Sequence, residues 1–126
     1  MSIYKKALRT FVTQVEKEMG RDVEALIVYG SVARDEATEE SDIDLVVVLK
    51  RHNPEIASRI EQIRDSVVFD FGKAITLDFE TYASLAKMVQ CGDPFAYNVL
   101  SDGNPLLDHN GCFPKLRTER VKVHRA

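Results

Sequence analysis

The stretch that decides the fold is residues 23–49, which read VEALIVYGSVARDEATEESDIDLVVVL. Two apolar runs of strand length form its ends, Val23–Tyr29 and residues 42–49. Between them lie a Gly-Ser pair, a short helical segment and a polar loop, at positions 30–31, 32–37 and 38–41. This pattern predicts a strand, a tight turn with one helical segment, and a second strand.

Helical periodicity flanks this stretch on both sides. Residues 2–19 carry apolar side chains at three- and four-residue steps, with Ser2 as the N-cap and Gly20 at the end. Pro54–Phe71 has a similar apolar stripe, with Pro54 in its first turn. A third strand and two helical pieces follow, at residues 74–80, 81–90 and 94–101. This order predicts an α/β (α+β) fold in which helices cover a small mixed β-sheet.

Composition narrows the class of protein. The chain has 126 residues, which is one domain's worth, and its hydrophobic content of 44% is that of a globular protein. Its net charge of −3 argues against direct DNA binding, which normally goes with a basic surface. No apolar run reaches the ~20 residues of a membrane span, and the first residues lack a secretory signal. We therefore expect a cytoplasmic protein with reduced cysteines and no membrane association.

The charge is distributed unevenly along the chain. Residues 115–126 hold five basic side chains and one acidic one, a net charge of +4, which leaves residues 1–114 at −7. We expect residues 1–114 to form a single domain and residues 115–126 to form a basic C-terminal tail. A loose, solvated end is the commoner state of such a tail, and a partner-binding segment is the alternative.

Two carboxylates interrupt the second strand. Because side chains alternate between the two faces of a strand, the odd-numbered residues of 42–49 are all apolar, whereas the even-numbered face begins with Asp42 and Asp44. Their Cα atoms are predicted to lie roughly 6.5–7 Å apart. Such a pair favours a cation between the two charges, and Mg²⁺ binds one or two carboxylates together with substrate phosphates. The solvated end of an ordinary strand is the competing interpretation.

The third strand repeats this arrangement. Asp78 lies between two large apolar residues, on the face opposite to theirs. If the second and third strands are neighbours, Asp78 joins Asp42 and Asp44 on one surface. Three convergent carboxylates fit a two-metal site for phosphoryl displacement. Glu80 and Asp70 are the alternatives for the third acid.

The turn after the first strand suits a phosphate group. Gly30 allows close approach to the backbone, and the helical start that follows offers N–H groups and the hydroxyl of Ser31. Taken alone, a Gly-Ser pair is also an ordinary turn.

Together these residues form the pattern Gly-Ser-x(10)-Asp-x-Asp, which would occur by chance in roughly one chain of this length per thousand. With its strand–turn–strand setting, the pattern resembles the polymerase-beta-like nucleotidyltransferase superfamily. Within that superfamily the chain is similar to the minimal nucleotidyltransferase (MNT) group, small domains often found as antitoxins beside helical HEPN toxins. The resemblance covers roughly residues 23–107.

The resemblance implies a role for each matching residue. Asp42 and Asp44 would bind two Mg²⁺ ions, and Asp78 would bind the catalytic ion and help to deprotonate the acceptor hydroxyl. Gly30 and Ser31 would hold the triphosphate of the nucleotide. The third residue after Ser31 is an arginine that matches the family's Ser-x-Ala-Arg stretch, so Arg34 is assigned to nucleotide binding, with a packing role as the alternative.

One position departs from the family pattern. The family usually has glycine after that arginine, and this chain has Asp35. If the position requires a positive φ, aspartate adopts it at moderate cost. A negative charge near a triphosphate would also weaken nucleotide binding.

The implied reaction is Mg²⁺-dependent transfer of a nucleoside monophosphate, AMP from ATP, to a hydroxyl group. Because little chain follows residue 107, we expect another chain to bind the acceptor, in a homo- or hetero-oligomer. A tyrosine of a partner HEPN toxin fits this expectation, with the present chain as the antitoxin. The alternatives are a small-molecule nucleotidyltransferase of the antibiotic-modifying type and a toxin-binding module without catalysis.

Overall fold

The structure is a computed structural model, and it describes residues 2–38 and 40–125, with side chains as far as residue 120. In this described part of the chain, four strands and six helices follow one another. Their order is α1 (Ile3–Met19), β1 (Val23–Tyr29), α2 (Gly30–Ala33), β2 (Ile43–Leu49), α3 (Pro54–Phe71), β3 (Ile75–Thr81), α4 (Tyr82–Gln90), α5 (Pro94–Asp102), β4 (Asn104–Asp108) and α6 (Cys112–Arg125).

Helix ends follow the capping residues of the sequence. The Ser2 side chain accepts a hydrogen bond from the backbone N–H of Lys5, and the N–H of Gly20 donates to the carbonyl of Glu16 at the other end of α1. Asn53 caps α3, which begins at Pro54 as predicted. These side chains and N–H groups pair backbone groups that a helix end leaves without partners.

The four strands form one mixed sheet in the order β3-β2-β1-β4. Strand β1 is antiparallel to both β2 and β4, whereas β2 and β3 are parallel. Parallel neighbours need a crossover connection, and α3 supplies it. The predicted fold class, a small mixed sheet with helices, is therefore confirmed.

Both faces of the central strands are covered. The odd-numbered residues of β2 pack in a core cluster with α1 and α3. Val46 and Val48, on the even-numbered face, pack in a second cluster with α4, α5 and α6. Two apolar faces on one strand require helices on both sides of the sheet. By the same alternation, Asp44 lies on the face of α4, α5 and α6.

Two short segments differ from the sequence prediction. Helix α2 occupies Gly30–Ala33 and not residues 32–37, so the Gly-Ser pair lies within its first turn. Strand β4 lies at Asn104–Asp108, where Gly103, Asn104 and Pro105 predicted only a break. Pairing with β1 overrides this local turn preference, and the edge of a sheet is where a strand tolerates proline.

In the described C-terminal segment, for which the charge pattern favoured a loose end, residues 115–125 belong to α6. The carboxylate of Asp108 caps this helix by accepting from the backbone N–H groups of Cys112 and Phe113. Cys112, Phe113 and Leu116 are buried in the second core cluster. Apolar residues at these spacings give a helix one buried face. The net charge of the segment does not reveal this face, because it counts only the charged side chains.

None of the described helices combines the length and the apolar character needed to cross a membrane.

The packing of α6 predicts the effect of shortening Leu116, which is 1% exposed. Leu116→Ala should lower the free energy of unfolding by about 2–5 kcal/mol, since it leaves a cavity in the core. The exposed neighbour Lys115 provides the control, and Lys115→Ala should change stability by less than about 0.5 kcal/mol. Urea unfolding measures both values. Equal stability of the two variants would mean that α6 is not docked.

Candidate active site

Three strands place the predicted site residues around one end of the sheet. In the β1–β2 ladder Asp44 lies opposite Tyr29, the residue before Gly30. In the parallel β2–β3 ladder Asp44 lies opposite Thr76, and Asp78 lies opposite Val46. Asp44 and Asp78 therefore occupy the same face of neighbouring strands, two positions apart along the ladder.

Asp42 enters the site from the loop. Strand β2 begins at Ile43, so Asp42 immediately precedes it and is exposed. The hydroxyl of Tyr4, on α1, donates to the carbonyls of Thr38 and Ser41 and so fixes the loop next to Asp42. The ammonium group of Lys73 lies 4.9 Å from the centre of the Tyr4 ring. Sequence reasoning missed the role of Tyr4, because its partners are backbone carbonyls that no pattern marks.

The three acids act on one another electrostatically. Burial raises the pKa of Asp44 above its usual value, and the negative charges of Asp42 and Asp78 raise it further. Of the alternatives for the third acid, Glu80 accepts a hydrogen bond from the Ser84 hydroxyl at 2.8 Å, and Asp70 is exposed on α3. Asp78 is therefore the third acid whose charge reaches Asp44.

A residue that sequence reasoning did not single out completes this cluster. The Tyr29 hydroxyl donates to Oδ2 of Asp78 at 2.9 Å. Burial, this hydrogen bond, and the charges of Asp78 and Asp44 together raise the pKa of the Tyr29 phenol well above its usual value. Strand alternation could have found Tyr29, since it shares a face with Ala25 and Ile27, both of which belong to the second core cluster.

Gly30 is required by both its conformation and its neighbour. Its φ is +78°, in the left-handed region that favours glycine, and a Cβ atom added there would lie 2.7 Å from Oδ2 of Asp44. The Asp44 carboxylate thus lies so close to the turn that it leaves no room for a side chain at Gly30. Ser31 follows in the first turn of α2 and is partly buried.

Arg34 and Asp35 end this turn in different ways. The Arg34 guanidinium donates to Glu36 at 3.3 Å and to Asp102 of α5 at 3.1 Å, and both contacts raise its pKa. These contacts match the packing alternative for Arg34. Among the described residues, Asp35 is the one non-glycine with a positive φ, +58°. The position therefore does adopt the backbone conformation for which a glycine would be expected.

A groove of about 540 Å³ lies beside this turn but outside the carboxylate cluster. Val28, Val32, Asp35 and Leu106 are among its lining residues, together with side chains of α1. Val28 belongs to the core cluster on the α1 and α3 side of the sheet, the face opposite to Asp44. The groove and the acids are therefore separate features.

Residues 8–93, more than half of the chain, match the family model described as a nucleotidyltransferase domain. The chain belongs to this nucleotidyltransferase family. The matched region contains all the predicted site residues, from Gly30 to Asp78. A search of curated proteins finds no match.

Solved structures share the fold of this nucleotidyltransferase domain. A crystal structure of the toxin–antitoxin MntA–HpeT, mutated from aspartate to glutamate at two positions two residues apart, aligns with a TM-score of 0.63 at 10% identity, over 99% of this chain and 88% of that one. A toxin–antitoxin structure with AMP-PNP aligns with a TM-score of 0.57 at 15% identity, over 91% of this chain and 82% of that one. A structure of a tri-AMPylated Shewanella oneidensis HEPN toxin in complex with an MNT antitoxin aligns with a TM-score of 0.52 at 12% identity, over 94% of this chain and 84% of that one.

The donor set of the site suits a divalent cation. Within the described ranges, no three His, Cys, Asp or Glu side chains are already gathered as a metal-binding group. Burial and the negative charges of Asp42 and Asp78 raise the pKa of Asp44, so three carboxylates act at this place. Oxygen ligands with excess negative charge are what Mg²⁺ prefers in proteins. The carboxylate oxygens therefore suit Mg²⁺ in their chemistry, although the described side chains do not form a ready-made metal-binding group.

The charge cluster predicts a pH-dependent gain in stability for Asp44→Asn. Because the folded-state pKa of Asp44 is raised, its ionised form destabilises the fold, and the neutral amide should raise the free energy of unfolding at neutral pH. The gain should stay below about 1 kcal/mol, as for other partly exposed charges. It should vanish in acid, as the pH falls through this pKa and wild-type Asp44 becomes neutral.

Denaturant unfolding at neutral and acidic pH tests this prediction, with Asp70→Asn on the exposed surface of α3 as the control. A stability difference for Asp44→Asn that is independent of pH would contradict a raised pKa of Asp44 in the folded state.

Two glycines separate backbone strain from contact with the site. Gly72→Ala introduces a side chain at a positive φ with nothing within 4 Å, so it should cost about 1–2 kcal/mol of stability. Gly30→Ala carries the same strain and also meets the Asp44 carboxylate at 2.7 Å. We expect Gly30→Ala to lose more stability and to weaken Mg²⁺–ATP binding, whereas Gly72→Ala should bind normally. Unfolding and calorimetric titration give the comparison, and equal ATP affinity of the two variants would refute a phosphate role for the turn.

Proposed function

We propose that this nucleotidyltransferase transfers AMP from ATP to a tyrosine hydroxyl of a partner HEPN toxin and so acts as its antitoxin. The observation that carries the proposal is the convergence of Asp44 and Asp78 on one sheet face beside the Gly30 turn. The shared fold with toxin–antitoxin structures, one with AMP-PNP and one with an AMPylated HEPN toxin, supports it.

The proposal gives each site residue a task. Asp42, Asp44 and Asp78 would hold two Mg²⁺ ions, which would stabilise the negative charge that develops on the phosphates. The backbone at Gly30 and the hydroxyl of Ser31 would bind the triphosphate. The closeness of the Asp44 carboxylate to Gly30 supports this arrangement, because a phosphate bound at the turn would lie beside the proposed metal ligands.

Asp78 would assist the acceptor. The acceptor oxygen forms a bond to the α-phosphorus, the bond from that phosphorus to the oxygen bridging to the β-phosphate breaks, and pyrophosphate leaves. The acceptor hydroxyl gives up its proton, and the Asp78 carboxylate would favour that loss. Arg34 would bind the nucleotide beside the turn, and its contact with Asp102 also favours the alternative role of holding the turn against α5.

The position of the acceptor follows from the exposure of the site. Asp42 is exposed and Asp78 is partly exposed at the edge strand β3. We propose that a second protein chain covers this edge and brings its hydroxyl to Asp78. Cytoplasmic location follows from the same role, since ATP and a toxin partner are met there.

The experiment co-expresses the chain with a candidate HEPN toxin and measures the mass of the purified toxin. Wild type should add AMP. Asp78→Asn should bind ATP and the partner, yet transfer AMP at least about a hundredfold more slowly, because the acceptor loses its base. Asp70→Asn, an exposed aspartate on α3, should transfer at the wild-type rate.

Two results would contradict the proposal. An Asp78→Asn variant that restores growth as well as wild type, without added AMP, would indicate an antitoxin that acts by contact. Labelled AMP on a small molecule and none on the partner would indicate a small-molecule nucleotidyltransferase.

A further inference from the structure

Tyr29 is linked to two of the site's carboxylates and to the Gly30 turn. Its hydroxyl donates to Oδ2 of Asp78 at 2.9 Å, across 49 residues of sequence. Its backbone pairs with Asp44 in the β1–β2 ladder and leads directly into Gly30. Tyr29 therefore combines a hydrogen bond to one acid of the site with backbone pairing to another.

The Tyr29 ring is held from two sides. It forms the end of a strand face whose other members, Ala25 and Ile27, are fully buried. Phe95, near the start of α5, meets the ring edge-on, with centroids 5.5 Å apart and planes at 86°. Edge-to-face contacts of this kind fix ring orientation as well as burying area. The hydroxyl therefore reaches Asp78 from a fixed position.

Asp78 needs such a contact more than most carboxylates. It lies on the edge strand β3, where it is only partly buried, and the terminal torsion of an aspartate rotates freely between broad minima. The charge of Asp44 on the neighbouring strand also repels it. A neutral hydroxyl can orient the carboxylate without adding a positive charge, whereas a lysine at that place would compete with a metal cation.

We propose that Tyr29 is a positioning residue, whose hydrogen bond holds the Asp78 carboxylate in the orientation that metal binding and acceptor activation require. The inference rests on the proposed function, because it assigns Tyr29 a task only through Asp78. Partners that orient a metal ligand typically change metal affinity or activity by about 10–100-fold when removed.

Tyr82 provides a matched control. Its hydroxyl also donates to a carboxylate, that of Glu119 at 3.2 Å, and both tyrosines are partly buried. This bond joins α4 to α6, away from the acids of the site. Tyr29→Phe and Tyr82→Phe therefore remove the same group from the same kind of contact, and each retains its ring.

The first measurement counts metal ions without needing turnover. Each protein is loaded with α,β-methylene-ATP, whose α–β linkage cannot be cleaved, and is titrated with Mn²⁺ observed by electron paramagnetic resonance. Wild type should bind two ions. Tyr29→Phe should bind the first ion normally and the second about tenfold more weakly, and Tyr82→Phe should match wild type.

A double-variant cycle separates positioning from a general structural effect. In an Asp78→Asn background, Tyr29→Phe should produce no further loss of Mn²⁺ affinity, since the orienting bond no longer has its carboxylate. An additional loss in that background would overturn the proposal, because the hydroxyl would then act through another group.

The second measurement is AMP transfer to the co-purified HEPN partner. Tyr29→Phe should lower kcat about tenfold and leave the KM for ATP unchanged, whereas Tyr82→Phe should change neither. Wild-type kcat and wild-type affinity for the second Mn²⁺ ion in Tyr29→Phe would overturn the inference. If wild type itself transfers no AMP, the proposed function fails, and the Mn²⁺ titrations still decide the role of Tyr29.

Discussion

The parallel pairing of β2 with β3 is the constraint on which the site depends. Because α3 carries the chain back across the sheet, both strands run in the same direction, and the register sets Val46 opposite Asp78. Even-numbered residues of the two strands then share a face. A slip of one residue would turn Asp78 toward α1 and α3, where the odd-numbered side chains form a dry core. The apolar alternation of β3, with Ile75, Leu77 and Phe79 in that core, prevents this slip.

The even-numbered face of β2 carries both buried core side chains and a carboxylate of the candidate site. Val46 and Val48 are fully buried beneath the C-terminal helices, and Asp44 continues their row toward the end of the sheet. Its carboxylate is therefore partly removed from water beside two like charges, which raises its pKa. A protein selected for stability alone would not group charges in this way, and strained electrostatics of this kind are typical of functional sites.

Local patterns predicted the elements whose signals lie within a few residues. Alternation in β2 predicted an apolar face and a pair of carboxylates on the opposite face, and the Gly-Ser pair predicted a tight turn, with which the φ of +78° at Gly30 agrees. The positive φ of Asp35 also agrees with the expectation for a glycine position. Strand β4, by contrast, exists through its pairing with β1, and the Tyr29–Asp78 bond spans 49 residues. Such long-range contacts leave no mark in local composition.

Helices α5 and α6, which follow the region of the family match, pack beside the candidate site. Helix α5 contacts the residues on either side of the Gly30–Ser31 turn, through Phe95 against Tyr29 and through Asp102 against Arg34. Helix α6 in turn holds α5, since the Arg117 guanidinium donates to the carbonyl of Leu100 and the Arg120 guanidinium lies 5.2 Å from the Tyr97 ring centre. Basic residues that charge counting assigned to a free tail thus pack against the helix that fixes Tyr29. Net charge alone describes what a segment can attract, and the apolar spacing within it determines whether it folds back onto the domain.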